Sequence, residues 1–145
     1  MSTDDISDIW SKDCKIDETN LGGEAKRIPE LHSKYYNMYY KEALKVKKLR
    51  SDYKELELLK REWLDGTMPE EDLRDLGWRP NQKRIIRQDM DKYLQADKDI
   101  INISLKIDYH SARANFLEDI VRTIHSRNFI IKSMIDILKF QHGEY

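Results

Sequence analysis

Glycine and proline are scarce, five and three in 145 residues, and neither occurs between Asn81 and Phe140. With so few turn residues the chain builds long elements rather than a compact many-turned sheet. The Gly-rich loops that cradle phosphates and the Gly-x-Ser-x-Gly nucleophile elbow are both absent. One cysteine, Cys14, forms no intrachain disulfide, and this points to a reducing, intracellular setting. No apolar run approaches the length of a membrane span, and no basic-then-apolar signal opens the chain, so no membrane partner is expected. The four histidines are scattered, with no Glu-x-x-His or His-x-x-x-His pair, so neither a metal centre nor a cofactor nor catalysis is expected.

Abundant instead are apolar residues at 39% and charged residues at 37%, the balance of long amphipathic helices. Between Asn81 and Phe140 one apolar row runs Ile86, Met90, Tyr93, Ile100, Ile107, Ala114, Val121. A second, offset row runs Leu94, Ile101, Leu105, Ala112, Phe116, Ile120, Ile124. A single row makes a helix with one buried face; two rows make a helix that touches protein on two sides. In so short a chain the second contact falls to further copies of the same chain. The fold class is therefore all-α, an elongated antiparallel hairpin of long helices followed by a short C-terminal helix.

Residues 1–18 read as an acidic arm, disordered or loosely docked, and residues 19–145 as a single helical domain. Its helices are placed at about 29–64, 82–125 and 129–140. Pro29 suits the first turn of the first helix, a continuous helix through it being the alternative. Asp65-Gly66 marks that helix's end. Ser126-Arg127-Asn128 marks a break before the last helix, because Asn tolerates the left-handed backbone.

Net charge is only -1, but it is segregated: residues 1–25 carry -5, 26–61 carry +6, 62–78 carry -5 and 79–98 carry +3. A +6 segment held on one surface points to a polyanion. Within it Tyr36 and Tyr40 interleave with Lys41, Lys45, Lys47, Lys48 and Arg50, and Lys54, Lys60 and Arg61 follow. Cations along a backbone with aromatic faces for the bases are the ingredients of single-strand binding. The competing reading packs the tyrosines into a bundle and leaves the lysines as its solvated back, the pattern of a structural or adaptor oligomer. The second basic run, Arg79, Lys83, Arg84 and Arg87, either extends that cationic path or pairs with the acidic loop Glu70–Asp75, the pairing being favoured. Residues 62–75 are a candidate protein-contact patch.

The run Tyr93-Leu94-Gln95-Ala96-Asp97-Lys98-Asp99 resembles the SADKD segment of the UvsY recombination mediators of T-even-like bacteriophages. Ala114-Asn115-Phe116-Leu117 and the run Ile124-His125-Ser126-Arg127-Asn128-Phe129-Ile130-Ile131-Lys132 resemble that family's AIKSRGFAIK stretch, with Asn128 where the family has Gly. The resemblance implies a non-enzymatic helical protein of the infected host's cytoplasm, assembled as a hexameric or, by preference, heptameric open barrel. It implies single-stranded DNA as ligand, with a phage RecA-like recombinase and a phage single-stranded-DNA-binding protein as partners. The family's Leu-Lys-x-Arg signature falls on Leu58-Leu59-Lys60-Arg61-Glu62-Trp63. The adjacent cations here turn the second charge by about 100°, so Lys60 carries over better than Arg61. The DNA-binding set so implied is Lys60, Arg61, Lys54, Lys41, Lys45, Lys48, Tyr36 and Tyr40. Self-association maps to Ile131, Met134, Ile135, Leu138 and Phe140.

Overall fold

The computed structural model describes residues 3–143, and side chains from Asp5 on. Among the described residues all regular structure is helical: α1 (Thr3–Asp13), α2 (Leu21–Asp65), α3 (Glu70–Leu76), a 3-10 turn (Arg87–Asp89), α4 (Met90–Ala96) and α5 (Lys98–Gln141). The described chain divides into two compact units. One is formed by the chain up to Ala43 with the chain from Ser111 on, the other by Leu44–His110.

The first unit closes around Ile6, Leu31, Tyr35, Leu117, Ile120, Val121 and Ile124. Here the N-terminal half of α2 pairs with the C-terminal half of α5, and two buried ion pairs record the direction. Glu24 meets Arg127 at 3.0 Å and Glu42 meets Arg113 at 3.2 Å. Advancing along α2 moves the partner back along α5, so the helices run antiparallel.

Three boundaries differ from those expected. From Thr3 on, the segment expected as a loose arm is ordered: α1 docks into this core, with Ile6 fully buried and the Trp10 ring edge-on to Tyr35 at 5.2 Å. Its end is tied down by Arg127, which donates to the Cys14 carbonyl at 3.0 Å, and by Arg27, which donates to the Asp13 carbonyl. Ile6 and Trp10, one turn apart on α1, supply the apolar contacts, with Ile9 beside them. Second, α2 starts at Leu21 and runs through Pro29. Asn20 caps it, its side chain accepting from Gly23 N at 3.2 Å. A Cβ on residue 23 would collide with that side chain, so the glycine makes room for the cap. Pro29 removes one helix hydrogen bond, but the buried residues on either side, Leu21, Glu24 and Leu31, hold the helix together.

Third, the break falls at Asp97 and not at Asn128. Asp97 has extended backbone (φ -69°, ψ 129°). Its carboxylate accepts from the amides of Asp99 and Ile100 at 2.9 and 3.0 Å, capping α5. No described non-glycine residue has positive φ, so Asn128 is ordinary helix. The neighbouring Arg127 is 2% exposed and ion-paired; a break there would pull it from Glu24. The separate C-terminal helix expected over 129–140 is thus the end of α5.

The second unit is built on Leu64, Ile85, Met90 and Leu94, with Trp63 and Tyr93 against them. Gly66, at φ +80°, ends α2, and Thr67 N and Met68 N both return to the Glu62 carbonyl. Residues 77–86 are irregular but anchored by hydrogen bonds from Trp63 to the Arg79 carbonyl and from Ile85 N to the Leu64 carbonyl.

Asp13 joins α1 to α2 through charge. Burial pushes its carboxyl up, but hydrogen bonds donated by Lys34 (2.6 Å) and Tyr35 (2.8 Å), with the charges of Lys34 and Arg27, outweigh burial and hold it below the usual carboxylate range. A depressed carboxylate contributes stability above its unfolded pKa and loses it as pH falls through the folded value. The Asp13→Asn variant is therefore expected to melt below wild type at neutral pH. The gap should persist down to the ordinary carboxyl value of 3.8 and close only below it. Thermal melts from pH 3 to about 7 check this, and a gap independent of pH would reject the assignment.

Candidate nucleic-acid interface

In the second unit α2 presents Lys47, Arg50, Lys54 and Arg61, spaced three, four and seven residues apart. At about 100° per residue they fall within an arc of about 60° and span about 21 Å. Lys47, Arg50 and Lys54 are exposed and, among the described residues, none makes an ion pair. Arg50 and Lys54 edge an open groove of about 390 Å³ whose walls include Tyr53 and Ile107. Arg61 is tied to Glu57 at 2.9 Å and Asp91 at 3.2 Å. The Glu57 hydrogen bond leads in raising its pKa. It is half-exposed and partly neutralised.

Lys54 thus belongs to a real cationic stripe. Lys45 and Lys48 are exposed but point elsewhere around the helix, and Lys48 is paired with Asp52 at 2.9 Å. Lys41, Tyr36 and Tyr40 are exposed and lie in the first unit. Tyr36 and Tyr40, one turn apart, share a face. Tyr36 stacks on His32 at 5.6 Å, and Tyr40 is 53% exposed. The expected set is therefore divided between the two units. Lys47 and Arg50 are the members that the expected set omitted; their helical spacing with Lys54 was the available signal.

Lys60, the residue favoured by the resemblance, is not on the surface. It is 7% exposed, with Nζ at 2.8 Å from Asp99 and 3.2 Å from Asp97. The same ammonium lies 4.4 Å from the Trp78 ring centre and 5.6 Å from that of Trp63. Two carboxylates and two indoles enclose it, so its charge is spent within the fold. The sequence carries no sign that residues 78, 97 and 99 converge on Lys60.

The second basic run also departs from expectation. Among the described residues none of Arg79, Lys83, Arg84 and Arg87 forms an ion pair with Glu70, Glu71, Asp72 or Asp75. All four cations are exposed.

Of the expected self-association residues, Ile131 is 2% exposed and belongs to the core of its own unit. Met134 and Ile135 are half-buried, and Leu138 and Phe140 are exposed. Phe129, Ile130 and Ile137, also exposed, extend that apolar surface. Among the described residues no group of His, Cys, Asp and Glu is arranged to hold a metal ion, and no helix is long and apolar enough to cross a membrane.

Fold and surface together define a class: an all-helical protein with long paired helices, whose outward chemistry is cationic on one helix face and in one loop. The chain belongs to the UvsY family, whose model, described as recombination, repair and ssDNA binding protein UvsY, matches residues 9–144. It is 28% identical over 144 residues to the recombination protein uvsY of Enterobacteria phage T4, covering 99% of this chain and 100% of that one. Its fold is that of crystal structures of the bacteriophage T4 recombination mediator protein UvsY. One matches with TM-score 0.85 at 24% identity (97% of this chain, 99% of the other) and a second with 0.84 at 25% (99% of each). It is a recombination, repair and single-stranded-DNA-binding protein of that family.

Replacing Lys60 by Met leaves Asp97 and Asp99 facing each other without their cation. Losing one member of a buried pair costs about 3–5 kcal/mol; with Asp99 more than half exposed, about 1–3 kcal/mol is expected here. Thermal denaturation should show the loss, and the emission of Trp63 and Trp78 should shift. Unchanged melting and emission would mean that Lys60 anchors nothing.

Proposed function

We propose that this protein is a recombination mediator. It binds single-stranded DNA and promotes loading of a RecA-like phage recombinase onto strands already covered by a single-stranded-DNA-binding protein, in the cytoplasm of the infected host. The observation that carries the DNA-binding part is the unpaired stripe Lys47, Arg50 and Lys54 on one face of α2, ending at Arg61. A strand laid along it neutralises one phosphate per cation and releases counterions. No base edge need be read, which suits a protein that must act on any sequence. Tyr36 and Tyr40, with Lys41, offer stacking faces in the first unit.

The mediator works as a ring of copies, the heptamer being favoured. Exposed apolar side chains at the end of α5, Phe129, Ile130, Ile137, Leu138 and Phe140, support that reading, since contiguous exposed apolar surface marks contact sites. Exposed Ile101 and Leu105 from the second apolar row add to it. Many weak phosphate contacts, one set per subunit, then combine into avidity. A strand bent along such a ring presents a segment to the recombinase.

Neutralising the stripe (Lys47→Ala, Arg50→Ala, Lys54→Ala) is expected to reduce the log–log salt slope of oligo-dT binding by about 2 per engaged subunit, at about 0.7 per phosphate. Fluorescence anisotropy across a salt series measures this. An unchanged slope with wild-type affinity would remove the stripe from the interface. Absence of salt-sensitive binding by the wild type would favour a purely structural oligomer. Ile137→Glu places a charge in the apolar seam and is expected to lower the particle mass in light scattering; an unaltered mass would exclude that seam.

A further inference from the structure

Residues 79–87 read Arg-Pro-Asn-Gln-Lys-Arg-Ile-Ile-Arg, four cations and no carboxylate. The segment has no helix of its own before the turn at Arg87, yet it is pinned along its length. The Trp63 indole donates to the Arg79 carbonyl at 2.6 Å. The Asn81 amide donates to the carbonyls of Leu64 and Lys83. Ile85 N donates to the Leu64 carbonyl at 2.9 Å, and the Ile85 side chain is 6% exposed in the core of the second unit. Trp78, just before the segment, is held over the enclosed Lys60 ammonium. The backbone is thus fixed while Arg79, Lys83, Arg84 and Arg87 stand exposed.

Two structural uses of these charges are weak. The nearby acidic helix α3 does not take them: no ion pair joins the two among the described residues. Nor are they needed to finish the end of α2. The Leu64 carbonyl already accepts from Ile85 and Asn81, and the Glu62 carbonyl from Thr67 and Met68. Arg84 lies near Gly66 and lowers the Asp65 pKa slightly, behind the Thr67 hydrogen bonds that dominate that shift. Four cations on a fixed backbone, unpaired and free of like-placed carboxylates, are preorganised for a chain of phosphates. Ile86, 60% exposed among them, adds apolar surface against which a base can rest.

We propose that residues 79–87 form a second phosphate-binding segment for single-stranded nucleic acid, distinct from the α2 stripe, with Lys60 as the residue that positions it. The proposal rests on the DNA-binding reading above. It also assigns Lys60 an indirect part: its loss loosens Trp78 and the segment behind it, rather than removing a phosphate contact.

The test uses the full chain with labelled oligo-dT. A loop variant (Arg79→Ala, Lys83→Ala, Arg84→Ala, Arg87→Ala) is expected to lose about tenfold or more in affinity at 0.1 M salt and to flatten the salt slope by about 2.8 per engaged subunit. Should this variant fold poorly, photocrosslinking of bromouracil-substituted oligonucleotide to the wild type gives an independent reading, with adducts expected in the peptide spanning residues 78–87. Wild-type affinity in a folded loop variant, or adducts confined to α2, overturns the proposal and leaves the stripe reading standing. Loss in the loop variant with no effect of the stripe variant upholds the loop and removes the stripe. Failure of the wild type to bind at low salt overturns both.

Discussion

A two-helix seam buries little apolar surface, and in this protein its alignment depends on charges placed inside it. Glu24 with Arg127, Glu42 with Arg113, and Lys60 with Asp97 are buried or nearly so, and the exposed Asp99 adds to the last of these. A buried pair contributes little net stability, because desolvation offsets most of the attraction. A wrong register is another matter, since it strands several charges in apolar surroundings at once. Long helices with repeating apolar rows can slide by a turn at small cost. Within each unit these pairs make one alignment far better than its neighbours: in the first the placement of α1 follows from it, and in the second that of the 79–87 segment.

The same economy explains where free cations remain. On α2 and α5, cations that face the seam or a neighbouring helix are consumed: Lys34 by Asp13, Lys60 by Asp97 and Asp99, and Arg127 by Glu24. Among the exposed cations that form no ion pair among the described residues are Lys47, Arg50 and Lys54 on one face of α2 and the group on 79–87. The acidic N-terminal segment is likewise part of the fold, since Asp13 is held by Lys34 and Tyr35.

Composition and apolar spacing carried the all-helical class, the long helices, and the site of the α2 stop at Asp65-Gly66, because these depend on local propensity and periodicity. Where the structure departs from the local signal, a distant partner overrides it. Asn128 reads as a break, but Arg127 beside it is anchored on Glu24. Pro29 reads as a start, but burial on both sides carries the helix across it. The acidic arm reads as solvated, but Ile6 completes a core assembled from residues far along the chain.

The functional surface divides in the same way. Sequence by itself determined that the chain is helical, that positive charge is concentrated in residues 26–61 and 79–98, and, through its motifs, which family it resembles. Those properties are fixed by residue order and survive without knowing any contact. Only the tertiary structure decided which cations remain available. Lys60 and Lys54 are both lysines of one helix, six residues apart, yet one is enclosed by two carboxylates and two indoles while the other faces solvent. A charge's role depends on what converges on it, and for Lys60 the converging groups come from residues 63, 78, 97 and 99, which meet only when α2, the loop and the start of α5 are packed together.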